Sequence, residues 1–429
     1  MLSGIQLTLM MGLANPEPVP AEITDCLLST QVTQATEGRS GFQLSFAFGK
    51  GSGARRRFEA GYFDPPKRVI IIATVNGAPN VLMDGVITRH EVTASNEPGQ
   101  SRLNVTGEDL SRIMDLINFS WVFKYPAMPA EARVAIILAK YIPLGILPII
   151  IPSVNIDIPI PTSRIPSHKG TDLQYITGLA NDVGYVFYID PDPPAGIPIP
   201  RELPKLPQVS LPGGVVTPRS FQPVPGRSIA YWGPEIKTGI PQAALIVNSD
   251  AASNVDSLTF SFDGFAKTVH VILIRPEEFP IPFPIPIPDV NPLSPPLGKR
   301  QPIPLRIEPV KDISHLNIPQ AISFSLAKAA RSAEVISGSG SLNVLRYGKL
   351  LKARRLVEVR GAGLPHDGLH FVRSVTHSIK PGEYKQNFTL SRNAFEPLSL
   401  GEAYLGMGLS PGAGAAGQRI TELGANPFA

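Results

Sequence analysis

Cysteine is almost missing from this chain. Cys26 stands alone in 429 residues, which excludes an intrachain disulfide framework and leaves the redox compartment open. Tryptophan is nearly as scarce, with two residues, Trp121 and Trp232. Charge is thin and balanced: 39 Lys and Arg face 35 Asp and Glu, a net charge of +4. The basic clusters Arg55-Arg56-Arg57 and Lys352-Ala353-Arg354-Arg355 are short, as solvated loop faces are, so no specific nucleic-acid groove is expected. No basic stretch precedes the apolar residues of the N-terminus, and no Sec-type signal peptide is expected. Long hydrophobic runs fail too. Residues 134–151 are largely apolar, yet Lys140, Pro143 and Pro148 interrupt them where a spanning helix needs about 20 suitable residues. A buried helix ending before Pro143, then an extended run, is the expectation, and no transmembrane segment.

Catalytic patterns are also missing. The seven histidines (His90, His168, His270, His315, His366, His370, His377) include no HExxH, no Cys-x-x-Cys accompanies them, and no acidic cluster has metal-loop spacing. His366 and His370 are four apart but flank Asp-Gly instead of sharing a helix face. Ser325 and Lys328 fit Ser-x-x-Lys without the partner motifs that make it informative. Residues Gly412 to Gly417 match GxGxxG in form, yet they follow Ser410-Pro411 and read as a flexible Gly/Ala-rich tail. No enzyme, cofactor or metal site is expected.

What the chain does have is a duplication. Aligned without a gap, residues 84–106 and 367–389 share Asp84-Gly85 with Asp367-Gly368, Val92-Thr93 with Val375-Thr376, and Ser95 with Ser378. They also share Pro98-Gly99 with Pro381-Gly382, Asn104 with Asn387, and Thr106 with Thr389. That is nine identities in 23 positions, where roughly one or two arise by chance. Upstream, Arg68-Val69 and Asn76-Gly77 are echoed, one residue shifted, by Arg355-Leu356 and Arg360-Gly361. Asn76-Gly77, after the β-branched run Val69 to Val75, is the strongest short hairpin signal, because both residues tolerate φ > 0. Two copies are too few for a solenoid, which needs at least ~3. Two like β-units in one chain are expected, their shape set by the turns Asp84-Gly85, Pro98-Gly99, Asp367-Gly368 and Pro381-Gly382.

Between the copies the periodicity changes. Thr106 to Asp109 resembles a capping box ahead of a helix bearing Leu110, Ile113, Met114 and Ile117 on one face. A second helix follows Pro129 with Val134, Ile137, Leu138 and Tyr141. A third opens at Thr171 with Gln174, buries Leu173, Ile176 and Ala180, and stops at Gly184, before a strand over residues 185–189. Farther on, residues 257–262 and 266–274 predict a hairpin across Asp263-Gly264. Then Pro280, Pro282, Pro284, Pro286 and Pro288 alternate with Ile or Phe, which forces an extended chain that is neither helix nor central strand. It reads either as a stiff linker or surface loop, or as a strap across a neighbouring subunit. A helix over residues 319–332 is expected to return the chain to the second unit.

The expected partition is 1–108, first β-unit; 109–240, α+β insert; 241–275 with 333–400, second β-unit; 276–332, Pro-rich excursion plus helix; and 401–429, Gly/Ala-rich tail.

Three stretches carry a family resemblance: Gly107 to Asp115, Gly170 to Asp190, and Val375 to Glu383 with Tyr384 and Phe388 to Arg392. They resemble the baseplate hub proteins of contractile phage tails and phage-tail-like injection particles, the late control protein D family, related to the hub part of type VI secretion spike proteins. The resemblance spans roughly residues 1–400. It implies a mainly β fold with an α+β insert, two tube-like β-barrels per chain, and a homotrimer whose six barrels form a pseudo-sixfold ring. The implied partners are an inner tube or tube-initiator protein, a trimeric spike and other baseplate proteins. The implied setting is assembly in a bacterial cytoplasm, then residence in a virion or in a released or cell-anchored particle. Fused hub–spike relatives continue past their hub, whereas only residues 401–429 remain here, so a separate spike chain is expected. The other function class left open is a secreted or surface adhesive or carbohydrate-binding protein built of β-domains.

Overall fold

The computed structural model describes residues 4–13, 15–97, 99–120, 122–153, 165–192, 226–274, 283–289, 294–311, 313 and 318–398. Pro98, Trp121, Pro280, Pro282, His315 and the 399–429 tail, with its Gly412 to Gly417 pattern, lie outside them.

The first β-unit contains β1 (Ile5–Gly12), β2 (Glu17–Pro18), α1 (Ala21–Thr24), β3 (Leu27–Ala35), β4 (Gly41–Ala47), α2 (Gly53–Glu59), β5 (Arg68–Val75), β6 (Ala78–Thr93) and β7 (Arg102–Asp109). β5 is apolar without alternation because both its faces are covered. Val69, Ile71, Ala73 and Val75 enter the main core, while Ile70 and Ile72 meet Val81 on the other side. Val75 pairs with Ala78 across Asn76 (φ 50°) and Gly77 (φ 80°), the hairpin the dipeptide predicts.

The insert contains α3 (Ala130–Ala139), β8 (Ile146–Ile150), α4 (Asp172–Asp182), β9 (Val186–Asp190) and β10 (Ser228–Gly233). β10 runs between β8 and β9, parallel to the first and antiparallel to the second. Val134, Ile137, Leu138, Ile176, Ala180 and Trp232 form its separate core. α4 has the expected capping box, with the Thr171 hydroxyl accepting from the Gln174 N–H and the Gln174 side chain accepting from the Thr171 N–H. The other expected box is corrected. Thr106 to Asp109 belong to β7, and Asp109 alone caps a short 3-10 helix, Leu110–Asp115, by accepting from the Ser111 N–H at 2.9 Å. A strand ladder satisfies the backbone groups that a helix start would have exposed. Ile117, expected on that helix's buried face, is exposed.

The remaining elements are β11 (Gln242–Ile246), β12 (Ser257–Phe262), β13 (Thr268–Ile274), β14 (Phe283–Ile287), β15 (Arg306–Pro309), α5 (Ile318–Ser332), β16 (Ile336–Asn343), α6 (Val344–Tyr347), β17 (Leu356–Arg360), β18 (Gly368–Lys380) and β19 (Glu383–Arg392). The expected hairpin over residues 257–274 does not form. β12 pairs with β16, whereas β13 leaves for a second sheet between β14 and β15. α5 covers that small sheet, with Phe324, Leu326 and Ala329 in one cluster with Ile272 and Ile287. The prolines Pro284 and Pro286 sit in β14, extended as expected and confined to an edge strand.

Both β-units join one 13-stranded sheet, ordered β12-β16-β19-β18-β3-β4-β7-β6-β5-β1-β2, with β17 and β11 branching from β18. Their apolar faces share a contiguous core running from Val32, Leu44 and Phe46 to Val375, Phe388 and Leu390. The duplicated sequence is the pair of three-stranded units β5-β6-β7 and β17-β18-β19. Their registers differ by two residues: Val92 pairs with Leu103, but the aligned Val375 pairs with Phe388, two beyond the aligned Gln386. An even shift keeps every side chain on its own face, so both patterns survive it.

Candidate assembly interface

Among the described residues no cluster of three or more His, Cys, Asp or Glu gathers as metal ligands do. The chemistry of this chain is concentrated at seams. β18 is long enough to serve three neighbours. Along one side it pairs with β19; on the other, Gly368 to Phe371 pair with β17 and Ser374 to Ile379 pair with β3. The β3·β18 seam, from Ser374↔Ala35 to Ile379↔Thr30, welds the two β-units. Thr33 and Thr376 share a hydroxyl hydrogen bond of 3.1 Å across it, and Gln34 donates to the Leu82 carbonyl at 2.9 Å.

A half-buried charge network locks the end of this seam to the insert. Arg354 donates to the Ala35 carbonyl at 2.5 Å and to Asp190 at 2.6 Å, and its guanidinium lies 4.1 Å from the Tyr188 ring centroid. Arg373, whose carbonyl accepts from the Thr36 N–H at 2.9 Å, donates to Glu235 at 2.8 Å and to Glu334 at 2.8 Å. Lys237 joins the same two carboxylates. The exposed Glu37 reaches Arg373 at 3.7 Å, so two cations meet three anions. Burial alone would raise the Glu334 carboxyl, but Lys237 and Arg373 outweigh it and hold it below its ordinary value. Burial dominates at Asp190 and lifts its carboxyl despite Arg354.

The expected turn residues divide. Asp84 and Gly85 are not in a turn. They lie inside β6, where Asp84 takes a bidentate pair from Arg68 at 2.7 and 2.6 Å and a bond from the Ser228 hydroxyl at 2.9 Å. Arg68 also donates to the Leu144 carbonyl at 2.7 Å, so this buried pair fastens the first β-unit to the insert. Asp-Gly suits a turn only where nothing competes for the carboxylate, and here a buried arginine does. Gly85 is glycine for closeness, since a Cβ there would meet the Glu108 carbonyl oxygen at 2.2 Å. Asp367 accepts from the Ala362 N–H at 2.8 Å and holds a turn, and Gly368 (φ 108°) opens β18. Pro381 and Gly382 (φ 82°) are the two-residue link between β18 and β19. Gly99 (φ 79°) lies in a turn closed from the Gln100 N–H to the Glu97 carbonyl; its neighbour Pro98 is outside the described residues. Among the described residues, the seven turn residues therefore do not meet in one site. The seam residues escaped sequence reading because Arg354 lies 164 positions from Asp190 and 319 from Ala35.

The free edges complete the geometry. The sheet path ends at β2 and β12. Pro16, Pro18 and Pro20 blunt the β2 end. At β11, Asn254 covers the strand, accepting from the Ile246 N–H at 2.8 Å and donating to the Ala244 carbonyl at 2.9 Å. β12 has neither device: Ser257-Leu-Thr-Phe-Ser-Phe262 carries no proline or charge, and among the described residues no strand pairs with its outer edge. Nor does any pair with residues 88–93 of β6 on the side away from β7.

No protein-family model and no curated protein sequence matches the chain. Solved structures do. The fold is similar to a tail protein from Neisseria meningitidis (TM-score 0.54, 12% identity, 91% of this chain and 97% of that one). It is similar to the 43 kDa tail protein of prophage MuSo2 from Shewanella oneidensis (TM-score 0.56, 12% identity, 91% and 100%). It is also similar to a chain of the Francisella PdpA-VgrG complex (TM-score 0.53, 8% identity), covering 92% of this chain and 59% of that longer one.

Proposed function

From the fold it shares with phage tail proteins, we propose that this chain is a non-enzymatic baseplate hub. It assembles as a homotrimeric ring that adapts a hexameric inner tube to a separate trimeric spike within a contractile injection machine. The observation that carries the proposal is the β3·β18 seam and its unmatched equivalent. The duplication makes β6 the counterpart of β18. Ladder position makes β12 the counterpart of β3, because each lies beyond the strand paired with the last strand of its repeat, β16 or β4. The seam made once inside the chain thus leaves one open copy of each half, the outer edge of β12 and the distal edge of β6. Pairing β12 of one chain with β6 of the next repeats the same contact head to tail. A closed ring of like units results, with neither the β12 edge nor the distal β6 edge left open to aggregate. Three chains are the number the family resemblance supplies.

Cross-linking tests the seam. Thr376 corresponds to Thr93, and stepping along the ladders from Thr33 through Gly41, Glu108 and its aligned Ser391, then Ser337, reaches Ser261. The two-residue register difference between the repeats makes Asp263 the alternative. Thr93→Cys combined with Ser261→Cys or with Asp263→Cys is expected to give oxidised dimers and trimers, while single variants give neither. Light scattering on the unmodified chain is expected to report three chains, and more on adding the spike. A stable monomer with no cross-link overturns the ring.

A further inference from the structure

We propose that the groove between β1 and β3 takes up an extended, uncharged segment of a partner protein as an added strand, with the backbone edge of Ile5 to Leu9 as its template. The groove belongs to a single chain, so the proposal does not rest on the ring.

β1 has one paired edge and one that is mostly bare. On the β5 side the Gly4 carbonyl accepts from the Asn76 N–H at 3.0 Å; on the β2 side the Leu9 carbonyl accepts from the Val19 N–H at 3.0 Å. Backbone groups of successive residues in a strand point to opposite edges, so those of Ile5, Leu7 and Leu9 all leave β1 on the side away from β5. β2 pairs only with Met10 and Met11, and after Pro20 the chain turns off into α1. The N–H and C=O of Ile5 and Leu7 and the N–H of Leu9 therefore have no backbone partner among the described residues.

The strands β3-β4-β7-β6-β5-β1 curl round one core, which brings the bare edge of β1 round to face β3. Both edges of β3 are taken, by β4 and β18. Between β1 and β3 lies a groove of about 410 Å³, within the size range of ligand sites. Ile5, Leu7 and Leu9 line it from β1, Leu27 from β3, and Ile379 and Tyr384 from the β18–β19 hairpin. Apolar side chains beside a row of free donors and acceptors select a peptide backbone over a compact apolar ligand.

The second β-unit shows what such a gap takes. There β11 lies beyond β17 as β1 lies beyond β5, and the chain itself covers it: Asn254 bonds Ile246 and Ala244, and Val255 follows into the core at 6% exposure. An uncharged residue satisfies the edge and a β-branched one fills the core. Charges in the lining of the first gap cancel, since Glu383 pairs with Lys385 at 2.7 Å, and Asp25 and Lys380 add one of each sign. The matching ligand is a segment without net charge, aliphatic at every second residue, whose backbone completes the ladder at Ile5 and Leu7. It arrives at the end of the first β-unit away from the insert: Ile5 pairs with Val75 beside the Asn76-Gly77 turn, whereas Gly12 pairs with Arg68, which binds the Leu144 carbonyl.

The probe is a displayed library of seven-residue peptides with Val, Ile or Leu at every second position and Ser, Thr or Asn between, panned on the full chain. A matched library has the same composition with the aliphatic residues adjacent. Selection from the alternating library alone is expected. On a selected peptide, N-methylation of one alternate set of residues, those facing β1, should weaken binding at least tenfold, and N-methylation of the other set should not. Simple apolar adhesion produces no such parity. Bound peptide should also slow amide exchange at Ile5, Leu7 and Leu9 at least tenfold in the unmodified chain, with Gln6 and Thr8, which face β5, unchanged. Equal selection from both libraries, no selection from either, methylation without parity, or unchanged exchange at Leu7 overturns the proposal. So does slowed exchange at the same amides in the concentrated chain alone, because a second copy would then be the occupant.

Discussion

Asp84→Ala leaves the Arg68 guanidinium buried without its counter-charge and the Ser228 hydroxyl without its acceptor. Breaking such a pair from one side costs about 3–5 kcal/mol, which urea unfolding would read as a lower midpoint. At the same scale two histidines make stability pH-dependent. His377 bonds to the Tyr384 hydroxyl at 2.8 Å and His370 to the Gly368 carbonyl at 3.0 Å. Complete burial depresses both, each to about 3. In the unfolded chain both protonate below the ordinary value of about 6.5; in the folded chain they do not until about 3, so the unfolded state binds the extra protons. Stability is therefore expected to fall as pH drops from about 6.5 toward 3, by about 1.4 kcal/mol per pH unit for each histidine. His168, His270 and His366 are lowered by burial too, so His377→Gln should make the slope shallower by one histidine's share in unfolding curves taken at pH 7, 6 and 5.

Among the elements, the β18–β19 link offers a clean measurement of backbone strain. A Cβ at Gly382 touches nothing within 4 Å, but φ is 82°, so Gly382→Ala is expected to cost about 1–2 kcal/mol through conformation alone. Gly85→Ala should cost more, because its Cβ would press on the Glu108 carbonyl and part β6 from β7. Denaturant titration of the two variants would order them, and equal losses would contradict the assignment of Gly85 to close packing. Elements governed by nearest neighbours were legible in the sequence: the Asn76-Gly77 hairpin, the Thr171 capping box, the extended chain at Pro284 and Pro286 and the helix after Pro129 all rest on local backbone chemistry. Those decided across the chain were not. β12 and β13 look like two arms of a hairpin, yet β16, some 80 residues later, claims β12. Asp84-Gly85 looks like a turn until Arg68 supplies a buried partner. The junction network likewise joins residues whose spacing in sequence carries no pattern.

For the whole molecule, the junction of both β-units with the insert is the place where disruption should spread farthest. Arg373→Ala removes the cation shared by Glu235, Glu334 and the exposed Glu37 and leaves Glu235 and Glu334 against Lys237 alone. Proteolysis is expected to become faster at both β-units and the insert together, since the seam and the insert lose the same anchor. Cleavage confined to one unit would show that the seam stands without it. Because the Glu334 carboxyl is held below its ordinary value, its share of the stability is present at neutral pH and is lost as pH falls through and below the usual glutamate range.

The unguarded β12 edge also bears on how much of this protein a cell can safely hold. Unless a neighbouring chain covers it as in the proposed ring, six residues of backbone without proline or charge form a template for any passing strand. Making the chain faster than the proposed ring can close should therefore produce precipitate before it produces more soluble protein. Yield would follow the pace of supply more than its total.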